Sequence, residues 1–153
     1  MPAAWRLAKT KFANDPLSGD GARLYGGRWN SPGVSVVYLA GSISLAVLEV
    51  LVHLHDPRLL EAYSLIRVDF DASLVHKTNP EELPSSWADF PASPALQELG
   101  DTWVNSSQSL ILQVPSAIVS LEDIFLLNPG HRDRAQLAVS DPVPFRLDPR
   151  LLK

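Results

Sequence analysis

The stretch from Ile43 to Leu54, ISLAVLEVLVHL, restricts the fold of this chain most. Ile43, Ala46, Val47, Val50, Leu51 and Leu54 recur at helical spacing, and Leu45, Leu48 and Val52 make the opposite side apolar as well. A helix so apolar belongs in a core, yet it carries a carboxylate, Glu49. Burying that charge without a partner is costly, so Glu49 is either paired or placed for chemistry. Ser42 after Gly41 predicts the N-cap, and Asp56-Pro57 closes the helix. His53 follows one turn after Glu49, where a histidine more often meets the helix dipole than catalyses.

Upstream, the polar, glycine-rich segment from Asn14 to Gly33 lacks regular periodicity, and a loop of that length in a compact domain is usually functional. It holds Arg28 in a glycine-flanked turn, GGRWN, and the short apolar strand Val36 to Leu39 then supplies Tyr38. A guanidinium, a phenol and a carboxylate can therefore converge on one cleft. The bland readings are that Gly26, Gly27 and Gly33 only shape turns and that Arg28 is the ion-pair partner of Glu49. Tyr25, Trp29, Trp5, Trp87 and Trp103 read as core or interface aromatics.

Strands are expected over Ala4 to Ala8, Val36 to Leu39, Tyr63 to Phe70, Ser109 to Val114, Ile124 to Leu127 and Pro144 to Leu147, with Leu74 and Val75 extending the sheet. Further helices are expected over Ala95 to about Asn105 and, briefly, over His131 to Val139. Between Asn79 and Pro94 four prolines impose a loop or single turns, although Trp87 and Phe90 want a packed surface. The pattern predicts an α+β fold: a single domain over residues 1–153 with a mixed, mostly antiparallel sheet.

Composition excludes several functions. The net charge of -4 and four scattered lysines argue against a nucleic-acid surface, so no nucleic acid is expected to bind directly. Without cysteine there is no disulfide, thiolate metal site or thiol nucleophile. No HExxH, P-loop, GxGxxG or GxSxG occurs, so a metal site, nucleotide-binding loop or hydrolase triad is not expected. No apolar run is long enough to span a membrane and the N-terminus lacks a leader, which predicts a cytoplasmic protein. What remains is Arg, Tyr and Glu: an anion binder, an aromatic face and a carboxylate able to steady a cationic sugar.

These residues lie in strings that resemble the RES domain family, the toxin half of RES/Xre toxin–antitoxin pairs. The strings are WR at Trp5-Arg6, GGRWN at Gly26 to Asn30, VYLA at Val37 to Ala40, LEVLVHL at Leu48 to Leu54, SLILQVPSA at Ser109 to Ala117 and LLNPGH at Leu126 to His131, and they cover nearly the whole chain. The resemblance implies a fold similar to ADP-ribosyltransferase toxins. It also implies consumption of NAD+ by cleavage of the nicotinamide–ribose bond, through hydrolysis or phosphorolysis. The alternative is mono-ADP-ribosylation of a host protein. An RNA-cleaving toxin and a non-catalytic binding module rank behind both.

By the same resemblance the catalytic Arg falls on Arg28, the Tyr on Tyr38 and the Glu on Glu49. The Ser is assigned to Ser109, with Ser107 and Ser116 as alternatives. Glu49 is expected to stabilise the oxocarbenium-like ribose, Tyr38 to frame nicotinamide, Arg28 to hold the pyrophosphate and Ser109 to orient Glu49 or a ribose hydroxyl. Arg6 is a second candidate phosphate contact, a structural pairing being as reasonable. NAD+ is expected as substrate, with no prosthetic group. The expected partner is an Xre-like antitoxin that occludes the active site, and the four tryptophans leave room for a homodimer.

Overall fold

The computed structural model of the chain describes residues 2–54 and 62–152. Its strands are β1 (Ala3–Lys9), β2 (Val37–Ala40), β3 (Tyr63–Asp69), β4 (Val75–Lys77), β5 (Ile111–Pro115), β6 (Asp123–Leu127), β7 (Ala138–Val139) and β8 (Val143–Phe145). The α-helices are α1 (Asp20–Tyr25), α2 (Ile43–Leu51) and α3 (Pro94–Ser106). All eight strands join one sheet in the order β4-β5-β6-β2-β1-β3-β7, with β8 also paired to β3. β4 runs parallel to β5 and the other pairings are antiparallel. This is the mixed, mostly antiparallel α+β sheet that the strand pattern predicts.

The alternation in β3 shows how sequence sets the two faces. Ile66, Val68 and Phe70 are fully buried on one side, packed with Ala4, Val37 and Leu39. Tyr63 joins the other face with Leu7, Ala40, Leu112 and Leu126, where Leu45 and Ala46 of α2 and Leu96 and Trp103 of α3 cover the sheet. The sheet is strongly curled. β3 and β6 are separated by two strands, about 14 Å on a flat sheet, yet the rings of Phe70, at the end of β3, and Phe125 are 5.5 Å apart.

α2 begins as its sequence requires, with Ser42 Oγ accepting from Leu45 N at 3.1 Å. It ends at Leu51, earlier than the apolar pattern suggests, and Asp56-Pro57 lies outside the described residues. The segment from Asn14 to Gly33 contains α1, a single short helix that no apolar stripe announces. The expected helix after His131 is a 3-10 turn over Arg132–Gln136 that runs into β7. Trp87 packs on the core as expected, whereas Phe90 is largely exposed, which corrects the expectation of a packed surface for it; Tyr25 is exposed as well, outside the core.

Candidate active site

The sheet opens between β1 and β2. β1 is registered with β3 along its whole length, from Ala3↔Asp69 to Lys9↔Tyr63, but with β2 only at Trp5↔Ala40. Beyond that pair the β2 backbone loses its ladder partner on this side, and a buried carbonyl left unpaired would be costly. Arg6 Nη1 supplies the bond, donating to the Tyr38 carbonyl at 3.2 Å. Burial pushes the Arg6 pKa down, its Nε has no hydrogen-bond partner, and no ion pair joins it to a carboxylate among the described residues.

Arg28 sits at the tip of a tight turn closed by a Gly27 N to Asn30 O bond of 3.0 Å. Helix α3 grips this turn from behind: Gln97 Nε2 donates to Gly27 O at 2.9 Å, Asp101 Oδ1 accepts from Ser31 N at 2.9 Å, and Gly100 lies against the Trp29 carbonyl. Arg28 Nη1 donates to two carbonyls of the proline-rich loop, Asp89 O at 2.6 Å and Trp87 O at 3.1 Å. The packing of Trp87 on the core fixes that loop, so Arg28 is held from both sides while its other donors make no hydrogen bond among the described residues. The ion-pair reading for Arg28 and Glu49 is not what the structure shows: among the described residues no such pair forms, and Arg28 acts on Glu49 only through its field.

Tyr38 points its hydroxyl into the same turn, donating to Asn30 Oδ1 at 2.5 Å and accepting from Trp29 N at 3.1 Å. Burial drives the phenol pKa well above its ordinary value. Glu49 is half-buried on α2. Desolvation raises its carboxyl pKa, opposed by a hydrogen bond from Ser116 and by the charges of His53 and Arg28.

Ser116, fully buried just past the C-terminal end of β5, makes that bond at 3.1 Å. Its hydroxyl also accepts from Ile118 N and Val119 N, each at 3.1 Å. With both lone pairs taken, its single proton can only point at Glu49. Ser109, expected to orient Glu49 or a ribose hydroxyl, donates to Ile111 O at 2.7 Å and accepts from Trp103 Nε1 at 2.9 Å, so its proton is not directed at Glu49. Ser107 ends α3 in a left-handed conformation (φ 52°), and its carbonyl meets the His131 ring. The sequence clue favouring Ser116 was its place immediately after a strand, where functional residues concentrate.

Ser116→Ala should therefore lower activity while leaving the sheet intact, since it removes a hydrogen bond to a charged group worth about 1.5–3 kcal/mol. Ser109→Ala should instead lower the melting temperature and spare catalysis per folded molecule. Kinetics and thermal melts on both variants check this, and the reverse pattern would establish the Ser109 assignment.

The structure thus gathers Arg28, Tyr38 and Glu49, with Ser116 behind Glu49 and Arg6 at the split. A separate cavity of about 410 Å³, lined by His76, Glu98 and Trp103 among others, includes none of these residues. Among the described residues no group of His, Asp or Glu could hold a metal ion, and no helix is long and apolar enough to cross a membrane.

The chain belongs to the RES domain family, whose profile matches residues 3–148. It is 37% identical over 148 residues to Toxin Res of Yersinia enterocolitica, covering 96% of this chain and 97% of that protein. It is 34% identical over 154 residues to the Prs ADP-ribosylating toxin of a Sphingobium species, covering 97% and 96%. A solved structure of the M. tuberculosis MbcT-MbcA toxin–antitoxin complex superposes with a TM-score of 0.75 at 24% identity, covering 97% of this chain and 85% of that one.

Proposed function

We propose that this chain is the toxin of a toxin–antitoxin pair and that it consumes NAD+ by cleaving the nicotinamide–ribose bond, with water or phosphate accepting the ADP-ribose. The observation that carries the reading is a half-buried carboxylate within the field of Arg28, a guanidinium that makes no ion pair with a carboxylate among the described residues. Half-buried Arg6 and the donors of Arg28 that make no bond among the described residues call for an anion, and a pyrophosphate supplies one. As the C–N bond breaks, its electron pair neutralises the pyridinium nitrogen. Nicotinamide leaves without needing a proton, and positive charge moves to the ribose. Glu49 then provides electrostatic stabilisation, held in place by Ser116. Tyr38 frames the nicotinamide ring.

The Sphingobium relative, named as an ADP-ribosylating toxin, favours a second reading in which a protein side chain accepts the ADP-ribose. Incubating the purified protein with NAD+, and separately with total RNA, tests both. Nicotinamide release with intact RNA is the expected outcome. Free ADP-ribose or its 1-phosphate marks the first reading, and a mass gain on an added cell extract marks the second. RNA loss without nicotinamide release would reject both.

Such activity in the cytoplasm would stop growth of the producing cell, so the partner is an Xre-like antitoxin that covers the cleft. An acidic side chain or chain terminus of that partner, paired with Arg28, suits a site built for pyrophosphate. Saturating antitoxin should then eliminate NAD+ binding in calorimetry. Undiminished affinity in the complex would mean inhibition at a distance.

A further inference from the structure

Asn30 is fully buried and touches no open surface, yet it is bonded to both sides of the site. Its Nδ2 faces three carbonyls, Ala22 O at 2.9 Å, Val34 O at 3.0 Å and Ser31 O at 3.2 Å, which fixes the orientation of the amide. Its Oδ1 must then point the other way, where it takes the Tyr38 hydroxyl proton. Its main chain closes the Arg28 turn through the bridge to Gly27. The fit is tight: a Cβ on Gly27 would lie 2.5 Å from the Tyr38 hydroxyl and 2.9 Å from Asn30 Oδ1.

We propose that Asn30 is a positioning residue of this site: it locks the Tyr38 phenol to the Arg28 turn, so that ring and guanidinium meet the substrate as one rigid unit. The proposal rests on NAD+ being that substrate. The Tyr38 hydroxyl spends its only proton on Asn30 and receives the Trp29 N–H, so it performs no proton transfer. Its part in the reaction is placement. Misplacement of a binding group by a fraction of an ångström shows first in KM, whereas bond cleavage depends on Glu49.

The test is a double-mutant cycle on NAD+ cleavage with Tyr38→Phe, Asn30→Ser and the pair combined. Each single variant should raise KM roughly tenfold with kcat changed by less than about threefold. The pair should be no worse than Asn30→Ser alone, because that variant has already lost the Tyr38–Asn30 contact. Multiplied effects on KM, or a loss confined to kcat, would overturn the proposal. Should Asn30→Ser fail to fold, Tyr38→Phe alone decides, and an unchanged KM overturns the lock. A second readout needs no NAD+. In proton NMR the shielded Tyr38 hydroxyl should appear as a slowly exchanging downfield resonance that is lost in Tyr38→Phe and in Asn30→Ser. Its absence from the wild type would also overturn the lock. A wild type that shows the resonance but releases no nicotinamide would sink the NAD+ reading and keep the lock.

Discussion

Glu49→Gln should lower NAD+ cleavage by roughly 10²–10³-fold or more, the usual loss when one transition-state charge contact goes, while the protein stays folded. The amide is nearly isosteric and its oxygen can still accept the Ser116 hydroxyl, so the packing of α2 on the sheet is unchanged. What disappears is the negative charge opposite the developing ribose cation. The same change should raise thermal stability near neutral pH. Burial holds the Glu49 carboxyl pKa above its ordinary value, so the native state keeps its proton to a higher pH than the unfolded chain does. Stability relative to an uncharged side chain is therefore intact below the unfolded pKa and declines as pH rises through the folded one. The melting temperatures of wild type and Glu49→Gln should diverge over that window, with the variant higher above it. Wild-type turnover should follow the opposite course, appearing as the carboxyl ionises and failing on acidification sooner than an ordinary glutamate would dictate. Wild-type turnover in a folded Glu49→Gln protein would remove Glu49 from the mechanism, and a variant that unfolds would make the residue structural.

Gly100→Ala should be among the most damaging substitutions in the chain. Replacing an interior helical glycine by alanine normally stabilises by about 1 kcal/mol, but here the added Cβ would lie 1.7 Å from the Trp29 carbonyl oxygen and 2.7 Å from its carbon. These are backbone atoms of a turn that Gln97, Asp101 and Tyr38 also hold, so nothing nearby can yield cheaply. Steric overlap therefore outweighs helix propensity, with an expected loss of about 3 kcal/mol or more, a fall in melting temperature of roughly 10 °C for a domain of this size. Any folded fraction should bind NAD+ weakly, because α3 can be accommodated only by displacing the turn that carries Arg28. Gly21→Ala is the control: in α1 a Cβ would meet nothing within 4 Å, so that variant should be neutral or slightly stabilised. Equal melting temperatures for Gly100→Ala and wild type would contradict the close helix–turn packing.

Much of the architecture was legible before any coordinates. The strict alternation of Tyr63 to Phe70 defined a two-faced strand, the apolar stripe with its Ser42 cap defined α2, and both begin where their periodicities put them, although α2 stops at Leu51, short of Leu54. The short helix α1 was not legible, because six residues leave too little periodicity to stand out from a glycine-rich loop. The exposure of Phe90 was misjudged for a different reason: aromatic character sets a preference for burial, while the surface available to cover it depends on the rest of the fold.

For the site, the one-dimensional pattern by itself singled out Glu49, since a lone carboxylate in an apolar helix is anomalous wherever that helix packs, and placed Arg28 and Tyr38 on the elements that carry them. Family resemblance placed the serine on Ser109, with Ser107 and Ser116 as alternatives. Only the tertiary structure shows where their hydroxyls go: Ser109 is bonded to Trp103 and Ile111, and the Ser116 proton is turned onto Glu49. Tertiary structure also decided that Arg28 rests on loop carbonyls rather than on Glu49, and that Asn30 joins Tyr38 to the arginine turn. The physical reason is that hydrophobic periodicity is a local property written into neighbouring residues, whereas a hydrogen bond is settled by which donors and acceptors long-range packing brings within about 3 Å of one another.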